Sequence, residues 1–158
     1  MNVMTYIVVG VFVFGLLITV FILAVNDLLY ERQAIMTPGE LRFFKILKTI
    51  ISPAMTVFPQ VRLASVVKPK DPFKWKNFAP LAIRSLDFVI TDFESGSTLL
   101  VIELDDKSHS LIKRQFRDKF IDRVLRSANI PILHIPYQKY YDHRALKILI
   151  ENATGLAS

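Results

Sequence analysis

Residues 86–105 read LDFVITDFESGSTLLVIELD, and the central part of the predicted fold lies in this segment. Leu86–Thr91 and Leu99–Asp105 are apolar runs rich in β-branched residues, and Gly96 lies in the segment FESGST between them. Short runs of this kind joined by a glycine-containing turn are typical of a β-hairpin. We therefore predict two antiparallel strands here, with the other elements packed around them.

Acidic side chains cluster at one end of this hairpin. If the two runs pair symmetrically about the turn, Asp87 faces Glu103, and Asp105 shares a face with Glu103 because residues two apart on a strand point the same way. The sequence thus predicts three carboxylates on one patch of sheet. Oxygen ligands of this kind suit Mg²⁺ or Mn²⁺, which polarises a phosphodiester and activates water. The alternative is a solvent-facing sheet whose acids pair with Lys107 and Arg84.

The sequence on both sides of the hairpin predicts an α/β domain. Thr37-Pro38-Gly39-Glu40 has the pattern of a helix start, because Thr37 suits the N-cap and Glu40 completes a capping box. Pro53 ends this helix. The other predicted elements are a strand at Phe58–Val67, a basic loop at Lys68–Pro80, a helix at Leu111–Ala128, a strand at Ile130–Ile135 and a helix at Asp142–Ala153. Asp142 is the predicted cap of this last helix, and Gly155 is predicted to close it. The predicted order is α-β-β-β-α-β-α.

The N-terminal segment differs in character from the rest of the chain. Residues 1–25 contain no charged side chain, and Met4–Val25 is an uncharged run of 22 residues. As a helix it spans roughly 33 Å, enough for a bilayer core of about 30 Å. A cleaved signal peptide needs a basic start and a shorter apolar core, and a buried soluble helix is rarely apolar all round. We predict a transmembrane anchor at 1–25, a linker at 26–36 and a folded domain at 37–154.

Basic residues follow the apolar segment closely, and none precedes it. Those nearest to it are Arg32, Arg42, Lys45 and Lys48. The positive-inside rule therefore predicts a single-pass membrane protein with its C-terminal domain in the cytoplasm.

Composition and charge distribution narrow the function. The chain has no cysteine, which excludes disulfide bonds, thiolate zinc sites and a cysteine nucleophile. The net charge of +6 is uneven: residues 61–85 carry a net +5, residues 86–106 a net −6 and residues 107–126 a net +5. A basic surround on an acidic centre suits a nucleic acid backbone, because the rim attracts the polyanion while a cation occupies the centre.

The acidic stretch also carries a family resemblance. DFVITD at 87–92, ELDDKSH at 103–109 and RQFRDKFID at 114–122 are the segments concerned. Over residues 37–150 the sequence resembles a bacterial domain family of unknown function with an ELDD-x-SH signature. That family is similar to the very-short-patch-repair branch of the PD-(D/E)XK nuclease superfamily. The resemblance implies a restriction-endonuclease-like α-β-β-β-α-β core, to which this chain adds the predicted C-terminal helix and the preceding transmembrane helix. It also implies a bacterial protein, so the predicted membrane is the bacterial inner membrane.

The resemblance implies roles for individual residues. Asp87 would be the first metal-binding acid and Glu103 the second, with Mg²⁺ or Mn²⁺ as cofactor and no small-molecule cofactor. Two positions depart from the superfamily pattern, because Leu86 replaces a proline and Asp105 stands where the lysine is expected. Another group must then replace the lysine, or the site is inactive. His109 is the candidate, since a histidine accepts a proton near neutral pH or binds metal; the alternative is a surface histidine.

Further polar residues are candidates for contacts with nucleic acid. They are Lys107, Lys113, Arg114, Gln115 and Arg117. Arg117 with Asp118 matches the family's RD pair, which is either a substrate contact or a structural ion pair. Glu40 is either a further acid of the site or only the capping glutamate. Gln60 is either a phosphate contact or an ordinary strand residue.

Three functions are open on the sequence alone. The first is a membrane-anchored, metal-dependent nuclease acting on nucleic acid at the cytoplasmic face. The second is a nuclease fold without catalysis that binds nucleic acid or a protein while anchored. The third is an assembly protein whose basic surfaces contact anionic lipid headgroups. The missing lysine favours the second function, and the three retained carboxylates favour the first.

Overall fold

A computed structural model describes residues 2–26, 30–71, 79–105 and 111–155, with residues 26 and 111–118 described by their backbone alone. The chain divides into two compact units, Met1–Ala34 and Ile35–Ser158. The division falls inside the segment 26–36 that the sequence predicts to be a linker.

The first unit contains helix α1 (Val3–Asn26), which coincides with the predicted apolar segment. Residues Val3–Val25 reach a mean hydropathy of 3.0. Large apolar side chains are exposed along the whole helix, from Val3 to Leu23. Helix α1 is therefore long and apolar enough to cross a membrane.

The second unit contains the predicted succession of helices and strands, with two additional four-residue helices. Its elements are α2 (Pro38–Ile50), β1 (Met55–Arg62), α3 (Leu63–Val66), α4 (Ala79–Ala82), β2 (Ser85–Asp92), β3 (Thr98–Asp105), α5 (Leu111–Ser127), β4 (Ile132–Pro136) and α6 (His143–Thr154). The predicted order α-β-β-β-α-β-α is confirmed, and the two additions, α3 and α4, lie between β1 and β2.

The four strands form one mixed sheet in the order β1-β2-β3-β4. Strands β1, β2 and β3 pair antiparallel, whereas β4 runs parallel to β3. Within the hairpin, Phe88 faces Ile102 and Ile90 faces Leu100, which is the predicted register. Helix α5 connects β3 to β4, as a parallel pair requires a crossover connection.

Helices cover both faces of this sheet. On one face, Phe43 of α2 and Leu146 of α6 pack against buried strand residues. On the other face, the packing side chains are Leu63 of α3, Leu81 of α4 and Leu125 of α5. The second unit is thus a mixed α/β domain of three layers with two separate apolar clusters.

The helix ends follow the predicted capping chemistry. The Thr37 hydroxyl accepts a hydrogen bond from the N–H of Glu40 at 3.3 Å, and the Glu40 carboxylate accepts one from the N–H of Thr37 at 2.6 Å. This reciprocal pair is the capping box. At α6, the Asp142 carboxylate accepts from two backbone N–H groups, and Gly155 ends the helix in a left-handed conformation.

One predicted strand is wrong in both of its boundaries. The strand expected at Phe58–Val67 begins at Met55 and ends at Arg62. The chain leaves the sheet there because the N–H of Leu63 donates to the carbonyl of Arg84, at the start of α3. Alternating hydrophobicity continues past Arg62, and it therefore does not mark this exit.

Two further boundaries need smaller corrections. The basic loop predicted at Lys68–Pro80 ends early, because Ala79–Ala82 forms α4, and residues 72–78 lie outside the described ranges. Strand β4 begins at Ile132, two residues later than predicted. Pro131 still contributes to the sheet, because its carbonyl accepts a hydrogen bond from the N–H of Val101 at 3.0 Å.

The first turn of α2 packs against the end of β4. A Cβ atom on Gly39 would collide with the ring of Tyr137. The Tyr137 hydroxyl accepts a hydrogen bond from the Arg42 guanidinium, and the Tyr137 N–H donates to the carbonyl of Asp105 at 2.7 Å. Glycine at position 39 permits this close approach, which sets the start of α2 beside the end of the sheet.

Candidate functional site

A cleft of about 320 Å³ lies at the open end of the hairpin, away from its turn. Its lining comes from α2, from β1 to β3 and from the chain just before β2: Glu40, Gln60, Ile83, Arg84, Ser85, Asp87 and Glu103. The structure therefore brings together Asp87 and Glu103 from adjacent strands. It also places both further candidates, Glu40 and Gln60, in the same cleft.

The hairpin strands stop pairing through their backbones where the cleft begins. The pairing of β2 with β3 extends as far as Phe88 and Ile102. Beyond this pair, the Asp87 carboxylate accepts a hydrogen bond from the N–H of Leu104 at 2.8 Å. The Asp87 side chain thus takes the place of a backbone hydrogen-bond acceptor, and this contact holds it between the two strands.

Glu103 is the most enclosed acidic residue of the cleft, with 7% of its surface exposed. Alternation along β3 places it on the same face as Val101, which is the face that α5 covers. A buried carboxylate is stabilised by positive charge or hydrogen-bond donors beside it. Glu103 differs in this respect from the acids of the hairpin turn, such as Glu94, whose side chain is exposed.

The donor atoms of the cleft suit a hard cation. Asp87 and Glu103 offer carboxylate oxygens, and Mg²⁺ is commonly held by one or two carboxylates, with water completing its shell. Within the described ranges, no group of three or more His, Cys, Asp or Glu residues is arranged to hold a metal ion. The chemistry of Asp87 and Glu103 fits a cation that these two carboxylates would hold, with water completing its shell.

Glu40 and Gln60 form a hydrogen-bonded chain along the cleft wall. The Gln60 amide donates to the Glu40 carboxylate at 3.0 Å, and the Ser85 hydroxyl donates to the Gln60 carbonyl oxygen at 3.1 Å. Gln60 has a left-handed backbone, with φ of 52°, between the paired residues Pro59 and Val61. This conformation is uncommon outside glycine. Because Glu40 also accepts a hydrogen bond from the N–H of Thr37, it is both the capping glutamate of α2 and a residue of the cleft.

Asp105 contacts a histidine and does not belong to the residues that line the cleft. Its carboxylate lies 3.4 Å from Nδ1 of His134, and Nε2 of the same ring lies 3.0 Å from the Asp122 carboxylate. Strand β4 brings His134 into this position, because its parallel register sets His134 beside Glu103. Sequence spacing alone does not predict this contact, since it depends on which strand β4 joins.

Arg84 lines the cleft, although the sequence suggests it only as an ion-pair partner of the acids. Its guanidinium carbon lies 4.7 Å from the centre of the Phe120 ring. Its Nε is buried and has no hydrogen-bond partner among the described residues. The backbone of Arg84 is held at both ends, since its carbonyl accepts from Leu63 and its N–H donates to Leu81. The one sequence signal for this residue is its position three places before Asp87.

Several predicted residues lie where the structure gives no side chain. Lys107 and His109 belong to residues 106–110, outside the described ranges. Lys113, Arg114, Gln115 and Arg117 lie on the first part of α5, of which the backbone alone is described. Their predicted roles remain predictions.

Comparison with known proteins gives a family for the chain. No curated protein and no solved structure matches it. The profile of a family described as "Protein of unknown function (DUF2726)" matches residues 32–153, which contain every residue of the cleft. The match covers more than three quarters of the chain. The chain therefore belongs to the DUF2726 family of proteins of unknown function.

Proposed function

We propose that the protein is a membrane-anchored, metal-dependent, nuclease-like enzyme that hydrolyses phosphodiester bonds of nucleic acid at the cytoplasmic face. The observation that carries this proposal is the placement of Asp87 and Glu103, which come from adjacent strands and line one cleft. Two such carboxylates are suitable ligands for Mg²⁺ or Mn²⁺. Acidic side chains in the cleft would lower the affinity of a surface that only binds polyanions, because carboxylates repel phosphate.

The order of the elements supports the same proposal. The succession α2-β1-β2-β3-α5-β4 agrees with the α-β-β-β-α-β core that the resemblance to PD-(D/E)XK nucleases implies. Asp87 on β2 and Glu103 on β3 stand at the positions of the two metal-binding acids in that pattern. In this proposal the domain has a restriction-endonuclease-like fold, and α6 is an addition at its C-terminal end.

The residues of the cleft have distinct proposed roles. Asp87 and Glu103 hold the cation, which when bound polarises a phosphodiester and lowers the pKa of a water molecule. The hydrogen bond from Leu104 N–H fixes the Asp87 carboxylate in advance, so little ordering is needed on binding. Glu40 and Gln60 form a polar wall that orients water by hydrogen bonding.

Residues outside the cleft complete the proposal. His109 is the proposed proton acceptor, as the sequence predicts. The nucleic acid backbone rests on the basic surface of α5, where Lys119, Arg123 and Arg126 are exposed. Helix α1 anchors the domain, and the basic residues that follow it direct the domain to the cytoplasm.

A second candidate function is a non-catalytic module that binds nucleic acid while anchored. The contact between Asp105 and His134 favours it. Asp105 occupies the position where the superfamily carries its lysine, and a carboxylate beside a histidine does not supply the positive charge that a lysine brings to a phosphate.

A cleavage assay on the full chain in detergent tests the proposal. Labelled duplex and single-stranded DNA and RNA are incubated with Mn²⁺, with Mg²⁺ and with chelator. The nuclease proposal expects cleavage that depends on the metal, together with a higher Tm in the presence of the metal. No cleavage of any substrate, with binding that weakens steeply as salt is added, would support the second candidate instead.

A further inference from the structure

Arg84 stands apart from the other polar residues of the cleft. It lines the cleft together with Glu40, Asp87 and Glu103, yet within the described part of the chain its guanidinium makes no ion pair. Its Nε is also buried without an acceptor among the described residues. The residue as a whole is half-buried and lines the cleft, so the other N–H groups of its guanidinium are the ones that can meet an acceptor from outside the chain.

The surroundings of Arg84 hold it in place for such a ligand. The ring of Phe120 lies against the guanidinium at 4.7 Å, an arrangement that attracts a cation to the face of an aromatic ring. Backbone hydrogen bonds to Leu63 and Leu81 fix the residue on both sides. A guanidinium beside an aromatic ring can still donate from its terminal N–H groups to an oxyanion such as phosphate.

We propose that Arg84 binds a phosphate group of the nucleic acid backbone in this cleft. It supplies the positive charge that the resemblance assigns to a lysine at the position of Asp105. Arg84 and the pair Asp87 and Glu103 line the same cleft, so one phosphodiester contacts both the cation and the guanidinium. This inference rests on the proposed function in one respect, namely that the cleft receives a phosphodiester.

Binding measurements on full-length protein in nanodiscs of neutral lipid test the inference. The probe is a short fluorescein-labelled DNA duplex, titrated in Ca²⁺ and in chelator at several salt concentrations. The variants are Arg84→Gln and Arg84→Lys. The matched control is Arg144→Gln, which removes the same charge from an exposed position on α6, on the opposite face of the sheet.

The expected result is a specific loss in Arg84→Gln. Its DNA affinity falls about tenfold relative to Arg144→Gln, and the slope of log affinity against log salt falls by about 0.9, since one phosphate contact is lost. Arg84→Lys keeps the charge without the planar fork and loses about threefold. Equal affinity and equal slope in Arg84→Gln and Arg144→Gln would overturn the inference. If Arg84→Gln does not fold, the test relies on Arg84→Lys. Wild-type DNA affinity in Arg84→Lys would then overturn the inference.

Phe120→Leu adds a readout of the positioning role. This variant keeps every charge but removes the ring beneath the guanidinium. DNA affinity is expected to fall several-fold, by about the size of one cation–π contact, while the salt slope stays at the wild-type value. An unchanged affinity would show that the ring does not position Arg84 for phosphate.

The cleavage assay separates failure of this inference from failure of the proposed function. If the wild type does not cleave but Arg84→Gln loses DNA binding, Arg84 remains a phosphate-binding residue and the nuclease proposal fails. If the wild type cleaves, and Arg84→Gln binds and cleaves like Arg144→Gln, the nuclease proposal stands and the role of Arg84 is refuted.

Discussion

The two ends of the β2–β3 hairpin hold aspartates by different means. At the turn, the Asp92 carboxylate accepts hydrogen bonds from the N–H and the hydroxyl of Ser95, both at 2.7 Å. At the open end, the Asp87 carboxylate reaches across to the N–H of Leu104 on the other strand. Asp92 is satisfied three residues away, whereas Asp87 depends on the spacing of two strands. One acid closes a turn, and the other is held where a cleft begins.

Replacing the buried acid at the open end should have the largest effect. Glu103→Gln keeps the size of the side chain but removes its charge. Under the proposed function this variant loses a cation ligand, so we expect metal-dependent cleavage to fall by about a hundredfold or more. The rise of Tm with Mg²⁺ or Mn²⁺ should also disappear. Glu94→Gln, at the exposed turn, is the matched control and should retain both properties. If Glu103→Gln keeps the activity and the metal response, Glu103 is not a ligand.

Asp87 allows its structural role to be separated from its chemical one. Asp87→Ala leaves the N–H of Leu104 without its acceptor and should lower the free energy of unfolding by about 1–3 kcal/mol. Asp87→Asn retains an oxygen acceptor and should lose less than about 1 kcal/mol, whereas under the proposed function its Tm should no longer rise with metal. Urea unfolding and metal-dependent melting measure the two effects. Equal destabilisation by Ala and Asn would mean that the carboxylate charge, rather than the hydrogen bond, holds the strands.

At the turn end, the backbone conformation of Gly96 should matter for stability but not for activity. Its φ is 68°, in the left-handed region, and nothing lies close to where a Cβ would stand. Gly96→Ala should therefore lower the free energy of unfolding by about 1 kcal/mol through backbone strain alone. Cleavage per folded molecule should be unchanged. A loss of cleavage in this variant would show that the two ends of the hairpin are coupled.

The smallest expected effect is on how the stability of the fold decreases at low pH. The hydrogen bonds from Ser95, first from its hydroxyl and then from its N–H, lower the pKa of Asp92 below its ordinary value of 3.8. A lowered carboxyl pKa stabilises the fold above the ordinary pKa, and that contribution is lost as the pH falls through the folded value. Ser95→Ala should lower Tm slightly at neutral pH, and the difference should vanish in strong acid. A difference that grows with acidity would contradict this account.

The elements whose signals are local could be predicted from the sequence. The capping box at Thr37 and Glu40, the turn at Gly96 and the closing glycine at position 155 are each set by neighbouring residues, and all three are confirmed. The hairpin register also follows from its own turn. Because that register fixes Asp87 near Glu103, the central pair of the candidate site follows from local information.

The features that the sequence does not reveal depend on distant parts of the chain. Strand β1 ends early because Leu63 finds the carbonyl of Arg84, a residue 21 positions further on. Asp105 lies against His134 because β4 joins β3 in parallel, which no spacing within either strand encodes. The contact of Arg84 with Phe120 likewise requires α5 to cover that face of the sheet.

Gly39 has no functional group of its own, yet it lies next to a residue of the cleft and in close contact with Tyr137. Its missing side chain makes room for Tyr137, and the next residue along α2 is Glu40, which lines the cleft. A methyl group at position 39 would displace the Tyr137 ring, and with it the hydroxyl that accepts from Arg42. In a random mutagenesis screen, position 39 would therefore report on the contact between α2 and the chain that follows β4. A screen of this kind identifies residues that hold the surrounding structure in place as well as residues that carry the chemistry of a site.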